Sequence, residues 1–236
     1  MISFVIPVYN EEKIITKSLS TFISFLKSKK IQKYEIILIN DGSTDNTKKI
    51  IETFKEKHKK IKLISYKKNK GRGFAIKQSI NHVNFENIIF IDMDIPVTTN
   101  LNIINQMIVK LKKNHIVIGS RFLQKSKIER RPLRSLISVI YRKIFFKICF
   151  PKIQLSDIDV GIKGFQKKTF YKLNKKTKNN RWSWDSEIIL RAVKLNLKII
   201  EIPIIWKETK HSNLNISSAS IDQFFGLLKI KKMLKM

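Results

Sequence analysis

Two acidic side chains, Asp92 and Asp94, close the apolar run "NIIFIDMDIPV" (87–97). Residues two apart in an extended chain share a face, so both carboxylates point into one space and Met93 turns to the core. Such a pair repels itself unless a cation lies between the two acids or beside one. Mg²⁺ or Mn²⁺ suits the spacing, since these hard ions take oxygen ligands and keep one or two carboxylates plus substrate phosphates. The plain alternative is two solvated loop acids after a strand.

Three further segments carry related chemistry. "PVYNEE" (7–12) offers Pro7 to stop a strand, Tyr9 as a stacking surface and Glu11 as an acceptor, with Asn10 placed to cap a helix. In "NDGSTDNT" (40–47), Asp41 can accept hydrogen bonds from a nucleobase, while Ser43 or Thr44 caps the helix that follows. "NKGRG" (69–73) brings backbone and Arg72 close to a diphosphate. It is not a dinucleotide fingerprint, because the third glycine would fall at Ile76, and no Walker lysine motif is present. Phosphate recognition must therefore rest on cations and metal.

Alternating elements position these segments. Strands are predicted at 2–8, 34–40, 61–66, 87–93 and 115–120, with helices at about 11–28, 45–59, 73–84 and 100–113 between them. That rhythm predicts an α/β fold, a mostly parallel sheet flanked by helices in a right-handed βαβ series. Ligands bind such sheets beyond the carboxyl ends of the strands, where five polar loops, "GSR" (119–121) the last of them, converge. The second half adds an apolar, aromatic and basic stretch at 130–150, a short region around "DIDVGIKGF" (157–165), a helix at about 184–195, a strand at 197–204 and a basic tail.

With 236 residues, 43% of them hydrophobic, the chain suits one domain over 1–236, with a nucleotide-binding half (1–122) and an acceptor half (123–236). Its net charge of +30 turns it toward phosphorylated ligands, polyanions or an anionic membrane face, although Lys spread over every segment also reflects composition bias. The single cysteine, Cys149, excludes an internal disulfide framework and fits a buried apolar position in a reducing compartment. "MISFVIPV" is too short for a signal peptide, and no stretch reaches the ~18 apolar residues of a spanning helix. The expectation is a soluble or peripheral cytoplasmic protein at the membrane face.

"SFVIPVYNEE", "INDGSTDNT", "NKGRGFAIKQSI", "IIFIDMD" and "VIGSRF", in that order, resemble the inverting family 2 glycosyltransferases of the GT-A fold. "RPLRSLIS", "DVGIKGF", "RWSWDSEI" and "IIEIPIIWKE" are similar to the dolichyl-phosphate β-glucosyltransferase branch, close to the mannose synthases. The resemblance implies that Pro7, Tyr9, Glu11 and Asp41 hold the nucleotide, with Asp41 on its base, and that Arg72 occupies the family's usual lysine position. It makes Asp92 and Asp94 the pair that holds Mg²⁺ or Mn²⁺ with the donor diphosphate, and it sets Arg121 and Arg134 against the acceptor phosphate. Trp182 and Trp184 become a wall of the sugar or lipid entrance, and Asp185 is either a base or a helix-cap carboxylate. Asn40, Val160, Ile162 and Gly164 depart from the commonest family residues. Pro96 stands where some mannose synthases carry a glutamine, which leans toward glucose.

The implied reaction moves a hexose from UDP-glucose onto a polyprenyl or dolichyl phosphate. GDP-mannose as donor, or a glycan hydroxyl as acceptor, is the alternative, and with a hydroxyl Asp185 becomes indispensable. Leu133, Leu136, Ile137, Ile140, Ile144, Phe145 and Ile148 form an apolar stripe beside Arg142, Lys143 and Lys147, as in an interfacial helix; 217–236 repeats the pattern. Both segments also read as core-packing helices. A nucleic-acid binder is disfavoured: there is no zinc spacing and no basic strand face with stacking aromatics.

Overall fold

The computed structural model describes residues 1–130, 132, 139–140, 146–208 and 216–235, with 216–222 described by their backbone alone. The first half alternates β1 (Ile2–Val8), α1 (Glu12–Ser28), β2 (Tyr34–Asp41), α2 (Thr47–Lys57), β3 (Ile61–Tyr66), α3 (Arg72–Gln78), β4 (Asn87–Ile91), α4 (Ile95–Thr98), α5 (Asn102–Leu111) and β5 (Ile116–Ser120). Then come β6 (Lys127–Glu129), a helical turn α6 (Lys147–Cys149), β7 (Ile162–Gln166), α7 (Lys167–Asn174), α8 (Trp184–Lys194), β8 (Ile199–Pro203), β9 (Ile205–Lys207) and α9 (Ile216–Leu234).

The inner strands are near-continuous Ile, Val, Leu and Phe because helices cover both faces of the sheet. Along α1, Ile15, Leu19, Phe22, Ile23 and Leu26 recur at helical spacing and are buried. Seven strands form one sheet in the order β3-β2-β1-β4-β7-β5-β8, and β6 pairs with β9 in a small separate ribbon. A single apolar cluster runs through the chain from Ile2 to Leu234, with Cys149 inside it.

The βαβ series holds through β4 and then breaks. β7 inserts antiparallel between β4 and β5, pairing with both, so β5 does not follow β4 in the sheet. The segment 157–165, predicted only as a short region, thus supplies a central strand whose entry end lies on the rim where the parallel strands finish. β4 also stops at Ile91, two residues before the predicted end, so Asp92 and Asp94 sit in the turn into α4, with Met93 buried beneath them. The predicted helix at 73–84 is shorter than expected, with a 3-10 turn at Ser79–Asn81 ending it. Pro7 lies inside β1, in register with Ile39, rather than ending it. Most of the stretch at 130–150, and Arg134 with it, lies outside the described residues.

Candidate active site

Loops after β1, β2 and β3 are tied to one another before they meet any ligand. Asn10, at φ 53°, accepts the Thr44 N–H at 2.8 Å on its side-chain carbonyl and donates its own N–H to Ser43 Oγ at 3.0 Å. Asn10, Ser43 and Thr44 therefore lash the first two loops together and cap no helix, contrary to expectation. Tyr9, 45% exposed, leaves its ring open at this edge. Asp41 is buried and accepts the Lys70 and Gly71 N–H groups at 2.8 and 2.9 Å, one on each oxygen. A carboxylate oxygen can accept more than one hydrogen bond, so Asp41 is not saturated by these two donors. Gly71 has φ 100°, and the Asn180 carbonyl occupies the space that a β-carbon would need, so only glycine lets this loop close.

At the centre, four charged side chains from four segments meet. The Asp92 N–H donates to the Gly161 carbonyl at 2.8 Å, and its carboxylate fills the place of the missing Gly161 side chain. Asp92 Oδ1 accepts Arg72 Nε at 2.8 Å and Nη2 at 2.7 Å. Arg72 also donates through Nη1 to Asp185 Oδ2, and the other oxygen of Asp185 accepts Lys163 Nζ at 2.6 Å. Burial alone would lower the Arg72 pKa, but Asp185 and then Asp92 drive it up, so the guanidinium stays charged. Asp185 is neither a free base nor the cap of α8, whose N-cap is Ser183: both its oxygens face cations.

Glu11 completes the acidic side of this centre. Burial, then Asp94, Asp92 and Asp45, raise its pKa to about 7. Crowded acids of this kind fit a divalent cation, and Asp92 and Asp94 are the residues that would hold it. Among the described residues no three His, Cys, Asp or Glu groups converge to enclose an ion unaided.

Arg121, at the end of β5, forks onto Asp157: Nε meets Oδ2 at 2.7 Å and Nη2 meets Oδ1 at 2.9 Å. Glu201 on β8 fixes the Asp157 backbone, accepting the Ser156 and Asp157 N–H groups at 2.7 and 2.8 Å. Burial opposes ionisation of Asp157, yet Arg121 outweighs it and holds the pKa below its ordinary value. Asp159, two residues on, accepts Ser186 Oγ at 2.5 Å, and burial lifts its pKa.

Lys163, Asp157, Asp159 and Glu201 were not singled out as site residues by sequence, and Glu187 was noted only as standing beside Asp185. Glu187, fully buried, gathers the Lys178 and Asn179 N–H groups and Arg191 Nε at 2.8–2.9 Å, bracing the loop that covers Gly71. One signal was present: charges at 157, 159 and 163 inside an otherwise apolar strand pattern. Trp184 is no entrance wall. It is fully buried, with Phe90 and Phe170 rings at 5.9 and 6.4 Å, whereas Trp182 is half-buried.

Residues 3–196 match the family described as Glycosyl transferase family 2. A dolichyl-phosphate beta-glucosyltransferase of Trichomonas vaginalis is 32% identical over 237 residues, covering 97% of this chain and 72% of that protein. Its counterpart in Dictyostelium discoideum is 31% identical over 242 residues, covering 98% and 73%. The fold is shared with glucosyl-3-phosphoglycerate synthase of Mycobacterium tuberculosis, crystallised with Mn²⁺, UDP-glucose and phosphoglyceric acid. That structure has TM-score 0.71 at 16% identity and covers 98% of this chain and 79% of its own. The chain thus has the GT-A fold, is a glycosyltransferase, and belongs to glycosyl transferase family 2.

Proposed function

We propose that this chain transfers glucose from UDP-glucose to a dolichyl or related polyprenyl phosphate, inverting the anomeric centre. The donor and acceptor classes follow the relatives. The observation that carries the acceptor class is Asp185, the sequence's candidate base, engaged by a cation on each oxygen. An alcohol acceptor needs a base to remove its proton, whereas a phosphate brings an oxygen already anionic near neutral pH.

In this reading, a phosphate oxygen attacks the anomeric carbon as the bond from that carbon to the β-phosphate oxygen breaks, and UDP departs from the opposite face. Tyr9 and Asp41 hold the nucleoside. Arg72 faces the diphosphate and stabilises its growing charge. A divalent ion on Asp92 and Asp94 would supply further neutralisation of that leaving group. Arg121, held on Asp157, is assigned to the acceptor phosphate, and Arg134 is assigned the same duty from its sequence position.

The protein is proposed to act at the cytoplasmic face of a membrane. Among the described residues no helix is long and apolar enough to cross one. α9 does expose Phe225 and Leu228 beside Lys229 and Lys232, and α6 exposes Lys147 and Ile148. Apolar anchors set among lysines suit an anionic lipid surface.

The test is incubation with labelled UDP-glucose or GDP-mannose, Mn²⁺ or Mg²⁺ and a short polyprenyl phosphate, followed by organic extraction. Label from UDP-glucose should enter the organic-soluble product. Label from GDP-mannose instead would overturn the donor, and label only in water-soluble glycan would overturn the acceptor.

A further inference from the structure

Lys163 is a charged side chain buried in the middle of a sheet. It is 1% exposed, on a strand inserted between β4 and β5. A lysine there is costly unless paired and hydrogen-bonded. In the antiparallel register Lys163 lies opposite Phe90, so both side chains share the sheet face covered by α8, where Phe90 meets Trp184 and Lys163 meets Asp185. Its ammonium donates to the Val160 carbonyl and to Asp185 Oδ1.

That pairing decides how Arg72 stands. Asp185 presents one oxygen to Arg72 and the other to Lys163, while Arg72 keeps Nε and Nη2 for Asp92. Without Lys163, the free Asp185 oxygen would compete for the same guanidinium, since a fork geometry favours bidentate pairing with a carboxylate. Arg72 would then rotate toward Asp185 and away from Asp92.

We propose that Lys163 is a positioning residue for glycosyl transfer: it occupies the second oxygen of Asp185, and Asp185, so held, keeps Arg72 aimed at Asp92 and the donor diphosphate. This rests on the proposed role of Arg72 as the diphosphate cation. Lys163 touches no substrate, and its influence runs through Asp185.

The experiment is calorimetric titration of UDP with Mn²⁺ into the wild type, Lys163→Met, Asp185→Asn and the double variant, alongside steady-state transfer. Partners that orient a site's inner residues typically matter by about 10–100-fold, so Lys163→Met should weaken UDP binding and lower kcat by about that range. Because the two residues act in series, the double variant should lose no more than Asp185→Asn alone. Lys163→Met with wild-type UDP affinity and kcat per folded molecule would overturn the proposal, as would losses that multiply in the double variant. Should Lys163→Met fail to fold, Asp185→Asn and the double variant, which leaves no lone acid behind, still compare the two positions. A wild type that binds no UDP would instead strike the functional reading itself.

Discussion

Two arginines at the rim are held in opposite ways. Arg121 forks onto both oxygens of one carboxylate, Asp157, whose backbone is itself fixed by Glu201. Arg72 is divided between two carboxylates on different segments, Asp92 and Asp185. A bidentate pair fixes both the distance and the plane of its guanidinium, whereas a guanidinium divided between two acids takes its direction from how each of them is held. The difference sets a guanidinium fixed on one acid against a guanidinium whose direction depends on two acids being held in place.

The largest effect should come from the acids beside Arg72. Asp94→Asn removes a charge from the crowded pocket and leaves the backbone of α4 able to form. Transfer should fall by about a thousandfold with an unchanged circular dichroism spectrum. Near-normal turnover at saturating Mn²⁺ would remove Asp94 from the metal role and leave Arg72 as the main diphosphate cation.

Next comes the rigid arginine. Asp157→Asn breaks a pair whose acid is 1% and whose arginine is 20% exposed. Removing one partner of a buried pair strands the other, so stability should drop by about 2–3 kcal/mol, below the fully buried range because Arg121 keeps some solvent. Asp157 is held below its ordinary pKa, so its stabilisation is complete above the unfolded carboxylate range and fades as pH falls through the lower, folded value. Urea unfolding at pH 7 and at pH 3 should show the variant losing less at the acid end. Equal losses at both would mean Asp157 acts by packing rather than charge.

Glu11 gives a smaller, opposite dependence. Its pKa rises from 4.5 to about 7, so the folded chain binds more protons than the unfolded chain between those values. In metal-free protein the Glu11 contribution to stability should therefore fall as pH rises from about 4.5 to about 7, so the wild type should lose stability relative to Glu11→Gln over that interval. A melting-temperature difference between wild type and Glu11→Gln that stays constant over the same interval would show that Glu11 does not change its proton there.

How much of this was legible depends on distance along the chain. β1 and β3 have the predicted bounds because local runs of Ile, Val and Phe specify them. The convergence of the rim loops also follows from strand direction alone. β7 was not legible as a central strand: Lys163 and Gly164 interrupt its apolar pattern, and its place depends on pairings with β4 and β5, remote in sequence. Trp184 misled for the same reason, since an indole's burial is decided by Phe90 and Phe170 from other elements. Asp185 was visible as a site residue, but its partners Arg72 and Lys163 lie 113 and 22 positions away, and they decide what it does.

The smallest effect on chemistry should come farthest from both arginines, on α9. Its inner side packs on α8, with Leu227 and Ile230 buried and Gly226 seated against Ser183, the N-cap residue of the helix that carries Asp185. Phe225 and Leu228 point outward, 63% and 43% exposed. Each apolar side chain moved from water into lipid is worth about 1.5–3 kcal/mol, and nearby lysines add attraction to anionic headgroups. Phe225→Glu with Leu228→Glu should reduce co-sedimentation with phosphatidylserine-containing vesicles by about tenfold or more. Transfer to a short, water-soluble polyprenyl phosphate should be unchanged, because neither arginine is touched. If the soluble assay fell as far as vesicle binding, the outer face of α9 would be setting the position of Asp185 through Gly226 and Ser183. The shared arginine would then be steadied through α9 as well as by Lys163.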